Sequence, residues 1–512
     1  MGGTAEVTVA SGQHNLAQLA EESFARHGDR PSIFWEGKSY SSGELRDRTL
    51  RLGKGFQELG IEPGDRVVVM MANCPEVGIC YISLWRAGAA ITPAIFLLSA
   101  EDLNHIFTDS EAKAVITTPE FLATVQAGAE GVDTLKFIIS TGPEQDGVIS
   151  LSSLEEAEPG EIVARDDNDL AALMYTGGTT GRAKGVMLSH ENLWFAGNQS
   201  YQASHMDGIN RAIIPLPLSH SFGLIVTVVG MHSEEPGFAV LQTWFDPTQW
   251  LELVQEHKIH YGAVVPTMIQ MLLASPLEDY DLSSLNNLVS GASPLAPEVA
   301  AEFERRVPGV KIRQGYGLTE TSASMTVQHV DNIHPGSVGK PNPGFDVCIV
   351  DEEGNDVPQG EVGEVICRSA ANMLGYWRQE KATAEAIKDG WFYTGDLGRF
   401  DEDGHLYIVD RKKDLIIRGG FNIYPRDIED VMVEHPAVAV AGVVGKPDPE
   451  KGEEVVAFVQ LAPGAEATSE ELVEFARGKL GKYKYPREVH VIENVPLTPV
   501  FKIDRKKLRT LL

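Results

Sequence analysis

MYTGGTTGRAKGVMLSH, residues 174–190, is wedged between an apolar run, LAALMY, and a helical-looking segment, SHENLWFAG. The stretch holds four glycines, the hydroxyls of Thr176, Thr179 and Thr180, and a single forward-placed Lys184. Glycine lets backbone amides turn inward, hydroxyls add donors and a lysine adds a point charge, so it reads as a cradle for phosphate oxygens. Lys184 is followed by Gly185 and not by Ser or Thr, which excludes a Walker loop. Any magnesium ligand must then come from elsewhere in the chain.

Working outward, both flanks are α/β in rhythm. On the N-terminal side, FWEGKSYS predicts a short hairpin, RVVVMMA, AITPAI and AVITT predict strands, and PEVGICYISLWRAGA and SAEDLNHIFTDSEA predict helices. Apolar strands alternating with helices imply parallel crossover units. On the C-terminal side, AIIPLPL, FAVLQT, YGAVVPT, NNLVSGAS and VKIRQGYG are strand candidates, with FGLIVTVVGMH and PTQWLELVQEHK as helices between them. Ligands of doubly wound sheets bind beyond the carboxyl ends of the strands. His220, Gly291–Pro294 and Tyr316–Glu320 are all predicted to lie at such ends. From about Lys340 the texture becomes short strands and Gly/Pro turns, predicting a small antiparallel or barrel-like unit. After Arg411 a fresh α+β unit begins with strand DLIIR and helix RDIEDVMVEH.

A net charge of −30 argues against a nucleic-acid surface, which would present a basic stripe. Four cysteines without CxxC spacing fit a reducing cytosol, and no HExxH or cysteine–histidine ligand cluster points to zinc. The start, MGGTAE, has no apolar signal region, and Glu6 stands where a myristoylation signal wants Ser or Thr. No apolar run approaches the roughly twenty residues of a membrane-spanning helix. A cytoplasmic protein is expected.

MYTGGTTGRAKGV, YGLTE (Tyr316–Glu320), YTGDLG (Tyr393–Gly398), VDRKKDLIIRGGFNIYP (Val409–Pro425) and PLTPVFKI (Pro496–Ile503) follow one another in this order. The series resembles the adenylate-forming superfamily, and within it the AMP-forming acyl- and aryl-CoA synthetases. The likeness covers nearly the whole chain. It implies a large N-terminal adenylation domain of doubly wound sheets (1–412), its β-rich part at about 340–412, and a small mobile α+β C-terminal domain (413–512). It also implies two half-reactions: a carboxylic acid and ATP form an acyl-adenylate and pyrophosphate, then the thiol of coenzyme A takes the acyl group and AMP leaves.

Site residues follow from the same resemblance. Thr176, Gly177, Gly178, Thr179, Thr180 and Lys184 would cradle phosphates, Thr319 would contact the α-phosphate, and Glu320 would hold Mg2+. Gly291, Ala292, Ser293, Pro294, Tyr316 and Gly317 would bound the adenine site. Asp396 would accept the ribose hydroxyls, assisted by Arg411. Lys413 would be the interdomain hinge, Gly419 and Gly420 would admit the pantetheine arm of coenzyme A, and Lys502 would bridge the carboxylate and the α-phosphate. At Val500-Phe501 the chain departs from the pattern, since family members usually carry small residues, often Ser-Gly, before this lysine.

His220 and Phe222 match the aromatic pair that closes over the acyl carboxylate in the family. Apolar Phe222, Ile225, Val226, Met231 and Val265 suit an apolar fatty, cyclic or aryl acid, and disfavour an amino acid, whose α-amine would want a buried carboxylate. Trp244 is a candidate gate for an acyl tail. Competing readings are a stand-alone adenylating enzyme that loads an acyl-carrier protein, a luciferase-like oxidation of the adenylate, and a catalytically impaired nucleotide binder. A homodimer is left open.

Overall fold

Leu170–Thr176 and Lys184–Ser189 form an antiparallel pair in which Thr176 faces Lys184. The computed structural model that shows this describes residues 13–176, 182–498 and 502–512. The pair continues as a parallel sheet through Ala90–Pro93, Arg66–Met70, Ala114–Thr117, Phe137–Ser140 and Ile149–Ser150. In Arg66–Met70 every residue after the arginine is buried, so the strand is apolar without alternation. Helices Pro75–Arg86 and Ala100–Asp109 make the crossovers that parallel strands require. Strand order reverses at Arg66–Met70, because the chain goes first to one neighbour and then to the other.

A second sheet runs in the order Thr326–Val327, Lys311–Tyr316, Asn287–Ser290, Tyr261–Val264, Arg211–Ile214, Phe238–Leu241, Pro31–Trp35 and Lys38–Ser41. The strands from Lys311–Tyr316 to Pro31–Trp35 pair in parallel, whereas Thr326–Val327 and Lys38–Ser41 pair antiparallel with their neighbours in this order. Trp250, Leu251, Ile259, Leu288 and Phe303 belong to the core packed on it. The FWEGKSYS hairpin closes with Trp35 opposite Lys38. Its two loop residues, Glu36 and Gly37, have φ of 44° and 80°, the hand that matches the twist of the strands.

The chain forms two compact units, one of Met1–Ile333, Pro341–Asp346 and Arg368–Gly390, the other of His334–Lys340, Val347–Cys367 and Trp391–Leu512. Both sheets described so far lie in the first. In the second, Gly363–Arg368, Trp391–Phe400 and Leu406–Arg411 pair antiparallel, as their short strands and turns predict. A further sheet is built on Val438–Asp448 and Gly452–Leu461, with Ile416–Arg418 and Glu488–Val491 also paired to the latter. Alternation along these strands sends Val443 and Val455 to one core, with Ile428, Met432 and Leu472. Val444, Val456 and Phe458 go to another core with Leu508 of helix Arg505–Arg509. Among the described residues no helix is long and apolar enough to cross a membrane.

Candidate active site

In the first unit Lys184 and the turn carboxylate Glu320 meet on one tyrosine. Lys184 opens its strand, and its Nζ lies 4.9 Å from the ring centroid of Tyr376. The Tyr376 hydroxyl donates to Glu320 Oε1 at 2.9 Å. Burial, reinforced by the Glu320 charge, pushes the phenol well above its ordinary pKa, so it stays protonated as the donor. Gly177, Gly178, Thr179 and Thr180 lie outside the described residues.

Glu320 sits on the single turn Thr319–Thr321 that follows strand Lys311–Tyr316. The turn is folded back hard: a Cβ on Gly317 would stand 1.8 Å from Ala323 O, which only glycine avoids. Ser322 and Ala323 complete the reversal with φ of 53° and 87°, an arrangement that must be held by neighbours. Leu318 N donates to Thr321 Oγ1, Met373 N donates to Glu320 O at 2.8 Å, and Ser322 Oγ donates to Ala371 O at 2.8 Å. Thr319 Oγ1 donates to Ser221 Oγ at 3.3 Å.

That serine begins helix Ser221–His232, whose N-cap is His220. Phe222 N donates to His220 Nδ1 at 3.3 Å. An imidazole accepting at Nδ1 carries its proton on Nε2 when neutral, leaving that nitrogen as a donor. Phe222 packs against Gly291, where an added Cβ would stand 3.1 Å from the ring. Phe222, Val265 and Ala292 join one apolar cluster. Ala292 has φ of 67°, and Ser293 and exposed Pro294 continue that loop, while Tyr316 ends its strand opposite Thr326. The five pocket candidates therefore do not form one face. Ile225 and Val226 share the side of Phe222, but Met231 is nine steps of about 100° away, half a turn round the helix. Trp244 is half exposed, edge-on to Phe96 at 4.2 Å.

In the second unit Asp396 and Arg411 are cross-strand partners, with Arg411 Nε 3.2 Å from Asp396 Oδ1. Asp396 is buried and its backbone is tied to Thr394 Oγ1, which itself donates to Val365 O. Lys413 is exposed on the turn Lys412–Asp414. Gly419 and Gly420 are exposed, with φ of 57° and 81° and open space around both Cβ positions. Lys502 is flanked by a closed arm: Thr498 N donates to Lys502 O, Lys502 N donates to Thr498 Oγ1, and Leu497 bridges Ile503. Val500 and Phe501 lie outside the described residues.

Two features escaped sequence reasoning. Tyr376 sits in GYW, which has no pattern of its own, and it reaches Lys184 only because Gly375–Tyr376 pairs with Val186 and Met187. The other is a buried ion network beside Lys413 and Lys502. Arg505 grips Glu429 with contacts of 2.7 and 2.6 Å, and Arg509 reaches Asp414 at 2.9 Å. DRKKLR signalled charge but not its burial. A histidine–aspartate cluster, His334, Asp403 and His405, has ligand atoms within metal-binding range. Its two imidazoles stack at 3.6 Å and 22°, so their in-plane lone pairs run side by side and do not converge on an ion.

The first unit thus sets Lys184 and a turn carboxylate on one α/β scaffold, and the second pairs buried Asp396 with Arg411. The chain belongs to the AMP-binding enzyme family, which matches residues 20–377, while residues 427–502 match the AMP-binding enzyme C-terminal domain. A long-chain-fatty-acid–CoA ligase of Bacillus subtilis is 34% identical over 96% of this chain and 94% of its own length. A feruloyl-CoA synthase of an Amycolatopsis species is 35% identical over 92% and 94%. The crystal structure of the anthranilate CoA ligase AuaEII in complex with anthranoyl-AMP superposes with a TM-score of 0.91 at 25% identity, covering 97% of both chains.

Proposed function

We propose that this protein is an AMP-forming acid–CoA ligase acting on an apolar carboxylic acid. The observation that carries the reading is the pairing of Lys184 and Glu320 through Tyr376 within a fold whose relatives are CoA ligases of fatty and aryl acids. The acid's oxygen attacks the α-phosphorus of ATP, the bond to pyrophosphate breaks, and a mixed anhydride forms. Coenzyme A's thiol then attacks the acyl carbon, its proton is released, and AMP departs with the electron pair.

Lys184 takes the departing pyrophosphate's charge, and Thr319 the α-phosphate. Lys502 neutralises charge as it develops between the two reactants. Asp396 accepts the ribose hydroxyls, with Arg411 fixing its carboxylate. His220 donates from Nε2 to the acid, and Phe222 and Val265 line its apolar part. Glu320 fits a hard divalent cation, since Oε1 is taken by Tyr376 and no other described residue bonds Oε2. Mg2+ held there would supply charge neutralisation to the phosphates. Lys413 serves as the hinge, and Gly419 and Gly420 leave room for the pantetheine arm.

The test is pyrophosphate release with ATP and Mg2+ across fatty, cyclic and aryl acids, with and without coenzyme A. Turnover that needs coenzyme A and yields acyl-CoA plus AMP is the expected result. A single burst indifferent to coenzyme A overturns it in favour of a carrier-protein acceptor.

A further inference from the structure

Lys184 and Glu320 carry opposite charges and meet the same side chain, yet they form no ion pair with each other among the described residues. Tyr376 touches both of them. It offers the lysine a ring face, which attracts a cation, and the carboxylate a hydroxyl, which donates to an anion. Each charge is thus stabilised without being cancelled by the other.

The tyrosine is placed with unusual redundancy. Its own N–H donates to Thr383 Oγ1 at 2.9 Å. Trp377 N donates to Gly185 O at 2.8 Å, next to Lys184, and Trp377 Nε1 donates to Asp109 O at 2.9 Å. On its other side, Met373 and Ala371 are bonded to Glu320 and Ser322 of the turn. The segment 371–377 therefore ties the carboxylate's turn to the lysine's strand, and Tyr376 is its only side chain shown touching both charges.

We propose that Tyr376 is a positioning residue of the nucleotide site, a spacer that keeps Lys184 and Glu320 from collapsing onto one another and turns Glu320 Oε2 toward a divalent cation. The hydroxyl takes one carboxylate oxygen and leaves the other to the metal. The ring holds the ammonium facing the phosphates in place of Glu320. Loss of the hydroxyl frees the carboxylate to rotate, whereas loss of the ring as well lets the two charges pair and withdraw from the ligand.

This inference rests on reading Glu320 as the cation ligand, and binding measurements separate the two. Affinities of a non-hydrolysable ATP analogue are measured by calorimetry with excess Mn2+ and with chelator, and their ratio reports the metal's contribution. Tyr376→Phe should reduce that ratio about tenfold while changing metal-free affinity less than twofold. Tyr376→Ala should lower both, because Lys184 is then lost to Glu320. In Glu320→Gln the ratio should fall at least as far, and adding Tyr376→Phe to it should change the ratio no further. An unaltered ratio in Glu320→Gln would sink the reading of Glu320. A reduced ratio there with a wild-type ratio in a folded Tyr376→Phe, its unfolding midpoint unchanged, overturns the inference about Tyr376 alone. Additive effects in the double variant overturn it as well.

Discussion

The corner around Glu320 and the arm around Lys502 hold their functional side chains in opposite ways. At Glu320 the side chains themselves are bonded: carboxylate to Tyr376, Thr319 to Ser221, His220 to the start of its own helix. At the arm before Lys502 the main chain is tied back on Thr498, and the helix that follows is anchored by an Arg509–Asp414–Arg505–Glu429 network whose two carboxylates are buried. The first arrangement aims particular atoms and resists rotation. The second anchors a helix through buried carboxylates and so fixes the frame that carries Lys502. Around Glu320 preorganisation thus acts on single site side chains, whereas beside Lys502 it acts on the helix Arg505–Arg509 that follows it.

The sharpest way to break this comparison is Lys502→Ala. Adenylate formation should fall by about 100- to 1,000-fold, the range for losing one charge-stabilising group, while thioester formation from supplied acyl-adenylate stays within a few fold. Equal losses in both half-reactions would mean that the lysine supports the fold of its arm and not one chemical step. Next in size is Arg505→Ala, which leaves Glu429 buried without its bidentate partner. A cost of about 3–5 kcal/mol in denaturant unfolding is expected, against a much smaller one for Arg477→Ala, whose pair with Glu474 is exposed.

Acid should weaken the first unit through two buried imidazoles. His190 and His232 are held at about 4, chiefly because burial disfavours the charged ring. The unfolded chain, titrating near 6.5, binds more protons between these values, so stability present above pH ~6.5 is lost as pH falls toward ~4. Full loss amounts to roughly 3 kcal/mol for each. Unfolding midpoints followed across that window, with His232→Asn as comparison, would show a shallower pH slope in the variant. The smallest effect contrasts two glycines. Gly419→Ala meets no atom and carries only the cost of φ at 57°, about 1 kcal/mol. Gly317→Ala should cost several times more, because its Cβ has no space beside Ala323 O.

Much of this architecture was legible in the chain. Continuous apolar runs such as RVVVM mark buried parallel strands, and FWEGKSYS marks its hairpin, because side-chain periodicity and turn geometry are local properties. The motif residues at Lys184, Glu320, Asp396 and Lys502 could be listed for the same reason, each being recognised within a few neighbouring residues. Apolar character alone, however, grouped Met231 with Phe222, and helical geometry separates them.

What could not be listed was who meets whom. Nothing near GYW says that Tyr376 joins Lys184 to Glu320, since that follows from an edge strand pairing with a segment far away in the chain. Nor does DRKKLR say that its two arginines pair with the buried carboxylates Asp414 and Glu429. Residue types and local periods are written along one dimension and need only short-range sterics to be read. Strand order, and the partners that a buried charge must find to be tolerated, depend on the whole chain having closed on itself.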